Sequence, residues 1–205
     1  MFDEFLRARS ARTGEAFRPF EQADYNDYVD GKPRYDGVRS FLASRSIELP
    51  EQEVVALGDR KNELVIAMIR RGGVEPYPGS VRYLHAVRAA GLATAVVSAS
   101  ANCHDVVVAA GIDDLLDTRI DGIVAEREHL RGKPAPDTFL AAARALGVEP
   151  AAAAVFEDAI AGVEAGRAGR FGLVVGVDRV GHAQALRDHG ADIVVSDLGE
   201  LLESQ

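Results

Sequence analysis

The chain has 205 residues, with 23 Lys and Arg against 32 Asp and Glu and a formal net charge of −9. At 47% hydrophobic and 27% charged residues it reads as a globular protein, long enough for one α/β core plus a small accessory domain. The acidic balance disfavours a general binder of nucleic acid or anionic membrane, and the lone Cys103 excludes an intrachain disulfide or a Cys-based zinc site.

The opening MFDEFLRARSART mixes both charge signs with aromatics and lacks a signal-peptide core. No apolar run approaches the ~20 residues of a membrane span. The expectation is a soluble, cytoplasmic, monomeric protein.

Residues 1–78 carry helical periodicities and no convincing strand. Phe2, Phe5, Leu6 and Arg9 suggest an opening helix, and Tyr35, Val38, Phe41 and Leu42 a later one. From Glu51 to Arg70, the residues Val54, Leu57, Leu64, Val65 and Met68 fall along one face. Asp24, Asp27 and Asp30 lack the glycine and glutamate of a calcium loop and read as a solvated helix face. The run Pro76-Tyr77-Pro78-Gly79 then breaks the chain, and Ser80 can cap the next helix. The boundary is expected there, with a helical domain over 1–78 and an α/β domain over 79–205.

From Ser80 the texture alternates. Leu92–Val97, Ala152–Phe156, Phe171–Val177 and Ala191–Val195 read as strands, and Thr118–Ala125 is a further candidate. Helical stretches lie near Ser80–Ala90, Asn102–Ala110, Pro136–Leu146, Ala159–Ala168 and Gly181–His189. Alternating strands and helices with short connections imply a doubly wound parallel sheet. Gly162, Gly166 and Gly169 fit close packing of a helix on that sheet.

In open parallel sheets, ligands bind beyond the carboxyl ends of the strands. After the first strand stand Ser98, Ala99, Ser100, Ala101 and Asn102, at the start of a helix. They either cap that helix or offer hydroxyl, amide and backbone donors to a phosphate. After the second strand stand Glu157 and Asp158, which either complement a helix dipole or hold Mg²⁺, a hard cation that takes one or two carboxylates plus phosphate oxygens. Between them, Lys133 is set in Gly132-Lys133-Pro134-Ala135-Pro136-Asp137. Donors, a cation and a carboxylate pair on one sheet edge suit phosphoryl transfer.

Taken together, VVSAS, GKPAPDTF and FEDAIAGVEAG resemble the second, third and fourth motifs of the haloacid dehalogenase superfamily. DGKPRYDGVRSFLASR and DRKN narrow the resemblance to its β-phosphoglucomutase family. The resemblance implies a Rossmannoid core with a helical cap and Mg²⁺-dependent phosphoryl transfer on a small sugar phosphate, from β-glucose 1-phosphate to glucose 6-phosphate. It implies that Ser98 and Asn102, with Ala99 and Ser100 in the same loop, bind phosphate, that Lys133 balances its charge, and that Glu157 and Asp158 hold Mg²⁺. Arg34, at a helix start, and Lys61, on an apolar helix face, match positions that grip the non-transferring phosphate. Ala101 stands where the mutases often carry a lysine.

The family's first motif is an apolar strand ending in Asp-x-Asp, whose first Asp is the nucleophile. No such motif occurs in these residues; Phe2-Asp3-Glu4-Phe5 is the nearest echo and begins an amphipathic helix. Because that strand lies mid-sheet in the family, the expectation is either a protein that starts upstream or an inactive remnant. The alternatives in view are a small-metabolite phosphatase of the same superfamily and a non-catalytic phosphate binder.

Overall fold

The computed structural model describes residues 1–203. Four helices come first: α1 (Phe2–Thr13), α2 (Gln22–Tyr28), α3 (Arg34–Ser44) and α4 (Glu51–Gly72). Their apolar faces meet in one cluster of Phe2, Leu6, Val29, Val38, Phe41, Leu42 and Val54. Within it the rings of Phe2, Phe20 and Phe41 stack in pairs with centroids 4.6 to 4.9 Å apart, a spacing that suits tilted aromatic contacts. This is the core of the cap.

Two expectations fail in this region. Asp24 is buried rather than solvated: its carboxylate accepts the Glu21 N–H at 2.9 Å and pairs with Arg45 at 2.6 Å, closing a capping box at the start of α2. On α4 the apolar stripe is only partly used. Val54 is buried, but Leu64 and Met68 are 46% and 66% exposed. A helix of 22 residues is about 33 Å long and outruns the small cluster it packs on.

The chain then turns into α5 (Pro78–Ala89), which starts at its proline rather than at a Ser80 cap. Proline suits the first helical position because its missing N–H would be unpaired there. The Ser80 hydroxyl instead accepts from Arg179 at 3.1 Å.

The α/β core follows as β1 (Ala95–Val97), α6 (Cys103–Ala109), β2 (Thr118–Ile120), α7 (Gly122–Arg127), α8 (Asp137–Leu146), β3 (Ala154–Glu157), α9 (Ile160–Ala168), β4 (Leu173–Val177), α10 (Ala183–Asp188), β5 (Ile193–Val195) and α11 (Glu200–Glu203). The candidate strand Thr118–Ala125 is a strand only to Ile120. There Asp121 accepts the N–H groups of Ile123 and Val124 and starts α7 instead.

All pairings are parallel, but the sheet comes in two pieces. β1 pairs with β2, and β3, β4 and β5 pair in that order. Among the described residues, β1 and β3 each keep one edge without a strand partner. The pieces still share a core: Val97 of β1 packs on the cluster of Phe139, Val155, Val163, Val174 and Leu186, and α8 packs on β1, β2 and α9. Among the described residues, no helix is long and apolar enough to cross a membrane.

Candidate functional site

The carboxyl ends of β1 and β3 open into a cavity of about 1460 Å³ between the core and the cap. Arg34, Lys61, Ser98, Ala99, Ser100, Asn102, Lys133, Glu157 and Asp158 all line it. The sequence scatters these residues over more than half the chain, and the fold gathers them.

On the core side, the loop after β1 folds on its own hydroxyls. Ser98 Oγ accepts the Ser100 N–H and Ser100 Oγ the Asn102 N–H, each at 3.1 Å. Asn102 stands at the N-cap of α6, yet its side chain caps nothing. Its amide donates instead to Asn62 of the cap at 2.6 Å. Beneath the loop, Cys103 is buried, and burial pushes its thiol up, away from thiolate chemistry.

Lys133 and Glu157 form a buried ion pair, with side chains only 6% and 8% exposed. Lys133 also reaches the Val97 carbonyl of β1 at 3.4 Å, so one ammonium spans the space between the two unpaired strand edges. Burial pushes the Glu157 carboxyl up, against the pull of Lys133. The carboxylate lies directly on α9, where a Cβ at residue 162 would sit 2.1 Å from its carboxyl carbon. Gly162 therefore makes room for the acid, while Gly166 supplies the helix-on-sheet contact against Val155 and Val174.

Asp158, next in the chain, is exposed to the cavity. Among the described residues, no group of three or more His, Cys, Asp or Glu gathers as a metal nest. Two adjacent carboxylates do suit Mg²⁺, which takes few protein ligands and fills its shell with water and phosphate oxygens. The donor set fits the ion on those terms.

The cap closes over the opposite wall. Gly31 (φ +68) and Pro33 press onto the core: a Cβ on Gly31 would lie 2.9 Å from that of Ala159, and one on Gly132 would lie 2.3 Å from Pro33 Cγ. Arg34, the first residue of α3, donates to Asn62 at 2.6 Å and meets Asp59 at 3.4 Å. A partner amide and a carboxylate thus hold the cation at a helix start, where the dipole disfavours it.

Lys61 is half-buried with its ammonium 5.5 Å from the Tyr25 ring centroid. Burial lowers it, and the nearby Asp30 opposes that shift. Asp30, expected to face solvent, lines the cavity instead. Burial and then Asp158 push its carboxyl up. Burial and Asp30 push the Tyr25 hydroxyl to about 12, so it stays a neutral donor. Tyr25, Asp30 and Asn62 were not on the sequence's roster of site residues. Asn62 sits beside Lys61 in the quoted DRKN, which is the one signal that could have found it.

Residues 4–170 match the family described as haloacid dehalogenase-like hydrolase. A β-phosphoglucomutase of Mycobacterium bovis is 55% identical over 98% of this chain and 82% of its own length. Among solved structures, a β-phosphoglucomutase from Clostridium difficile superposes with a TM-score of 0.76 at 23% identity, over 98% of this chain and 85% of that one. A haloacid dehalogenase family hydrolase from Deinococcus radiodurans, with bound phosphate and sodium, gives 0.65 at 27% identity over 96% and 83%.

Proposed function

The chain belongs to the haloacid dehalogenase-like hydrolases, in their β-phosphoglucomutase family, and from that premise we propose that its cavity serves Mg²⁺-dependent phosphoryl transfer on a sugar phosphate, from β-glucose 1-phosphate to glucose 6-phosphate. The observation that carries this reading is the meeting of two cationic grips in one cavity, Lys133 on the core wall and Arg34 with Lys61 on the cap wall. A mutase needs both, because a bisphosphate must be held at one end while the other reacts. The domain boundary in this reading lies at 78/79, and the protein works as a cytoplasmic monomer.

The chain's own groups take distinct parts. Ser98 and the loop through Asn102 donate to a phosphoryl group at the sheet edge, and Lys133 offsets its charge. Glu157 and Asp158 hold Mg²⁺, which when bound neutralises phosphate oxygens. Arg34 offers a bidentate fork and Lys61 a point charge to the second phosphate. The Gly31–Pro33 loop, pressed on Ala159 and Gly132, holds the cap wall against the core beside the site.

We further propose that the 205 residues taken alone bind phosphate esters without turning them over. They contain no Asp-x-Asp, and among the described residues no strand pairs with the free edge of β1 or of β3. A second reading, phosphatase, draws support from Ala101, which withholds a phosphate contact, and from the hydrolase relative found with phosphate.

The test is calorimetric titration of the chain with glucose 6-phosphate, with and without Mg²⁺, beside a coupled assay. Mg²⁺-dependent binding without turnover is expected. Failure to bind any phosphate ester contradicts the reading.

A further inference from the structure

We infer that Asn62 is a positioning residue that fastens the cap to the core and aims Arg34 and Asn102 together at the phosphate-bearing ligand. This rests on the sugar-phosphate reading for the ligand, but the latch itself rests on geometry alone.

Asn62 sits in α4 and lines the cavity. Its Oδ1 accepts two hydrogen bonds at once, from Arg34 Nη2 and from Asn102 Nδ2, both at 2.6 Å. A carbonyl oxygen has two lone pairs, so both donors are accommodated. One donor begins α3 in the cap, and the other precedes α6 in the core. A single oxygen therefore joins three elements from two domains.

Neither donor is exhausted by this contact. Arg34 has five N–H groups and the Asn102 amide has two. Arg34 commits Nη2 to Asn62 and Nη1 to Asp59, and Asn102 commits one amide N–H to Asn62, so the remaining N–H groups of both are held at the same wall of the cavity. A ligand oxygen placed there meets donors from both domains without their having to search for it, which lowers the ordering cost of binding. The side chain of Asn102 makes no helix cap, so its reach across the interface is not incidental to local structure.

The experiment measures the cap-to-core distance directly. Spin labels go on Glu4→Cys of α1 and Arg127→Cys of α7, both exposed, while the native Cys103 is buried and escapes labelling. Double electron–electron resonance on the ligand-free chain is expected to give a narrow distance in the parent. Asn62→Leu, which keeps the bulk and removes the acceptor, is expected to lengthen and broaden it. Asn62→Asp keeps an oxygen acceptor for both donors and is expected to restore the parent distance. Asn102→Ala removes the contact from the core side and should behave like Asn62→Leu, which covers the case in which the latter fails to fold.

A second measurement reads the aiming. Asn62→Leu is expected to weaken glucose 6-phosphate by about tenfold, the worth of roughly one hydrogen bond, and to leave inorganic phosphate within about twofold. Unchanged distances in both Asn62→Leu and Asn102→Ala overturn the latch. A changed distance with unchanged glucose 6-phosphate affinity overturns the aiming. A parent that binds inorganic phosphate but no glucose 6-phosphate contradicts the substrate reading, and the distances still decide the latch.

Discussion

Lys133 and Glu157 are bonded to each other in the interior, and the same ammonium reaches the Val97 carbonyl of the neighbouring sheet. The ammonium that pairs with that buried acid is therefore also one tie between two sheets that share no ladder among the described residues. In the proposed reading, chemistry and folding depend on one pair.

Removing the lysine alone strands a buried carboxylate. Lys133→Met is expected to cost about 3–5 kcal/mol, the usual penalty for breaking a buried ion pair from one side. Pairing it with Glu157→Gln should recover part of that loss. Urea unfolding of the two single variants and the double variant checks this; an additive double variant would mean that the two residues do not interact.

Asp158→Asn addresses the metal separately. Its carboxylate faces the open cavity and carries little of the core, so stability should change by less than about 0.5 kcal/mol. Mg²⁺ affinity should fall by at least about tenfold, because an amide is a poorer ligand for a hard cation. Titration with Mg²⁺, or with Mn²⁺ followed by electron paramagnetic resonance, reads the difference.

Gly162→Ala places a methyl where the Glu157 carboxyl lies. The acid must move, at an overpacking cost of about 1–3 kcal/mol, and Mg²⁺ binding should weaken with it. A variant with parental melting temperature and parental Mg²⁺ affinity would show that the carboxylate has other places to go.

The cap has its own acid sensitivity. Burial alone would raise Asp24, but the Glu21 N–H and the Arg45 guanidinium hold it below its ordinary 3.8. A carboxylate lowered by folding stabilises fully above its unfolded value, and that contribution is lost as pH falls through the lower folded value. Cap stability should therefore decline from about pH 4 downward. Asp24→Asn should flatten the decline and be less stable at neutral pH. Melting curves followed between pH 2 and 7 test both halves.

How much of this was legible beforehand follows the range of the interactions. The alternation of apolar runs located every strand and most helices of the core, because each buried strand answers to its own residues. β3 runs one residue past its expected end, to Glu157, and β1, β3, β4 and β5 were expected to start too early: Thr94, for example, spends its N–H and hydroxyl on Asp117 and Leu115 rather than on a ladder. Periodicity on α4 could not say that Leu64 and Met68 overhang the cap's core, since that depends on where the other helices end. The loop and carboxylate residues could be found because strand ends carry sites. Asn62 had only its place beside Lys61 in DRKN to mark it, because its partners lie 28 and 40 residues away and an amide on a helix has no pattern of its own. Asp24 and Asp30 share a spacing, and only tertiary packing separates a cap box from a cavity wall.

The cap grip makes a graded prediction about reaction type. In a version of the chain extended at its amino end by an apolar strand ending in Asp-x-Asp, Arg34→Ala should impair the mutase reaction by at least about tenfold, as loss of a charge-assisted contact implies. Hydrolysis of a simple aryl phosphate, which presents no second anion, should change far less. Equal losses in both assays would reassign Arg34 to the packing of α3.

The central claim, that this cavity is built to turn a sugar phosphate round, is tested most directly by that extended chain supplied with β-glucose 1-phosphate, Mg²⁺ and a glucose bisphosphate primer. Glucose 6-phosphate and inorganic phosphate are followed together. Glucose 6-phosphate should form faster than inorganic phosphate is released, and the 205-residue chain should form neither. Release of inorganic phosphate alone from the extended chain, across sugar monophosphates and with primer present, would contradict the mutase account and leave a phosphatase.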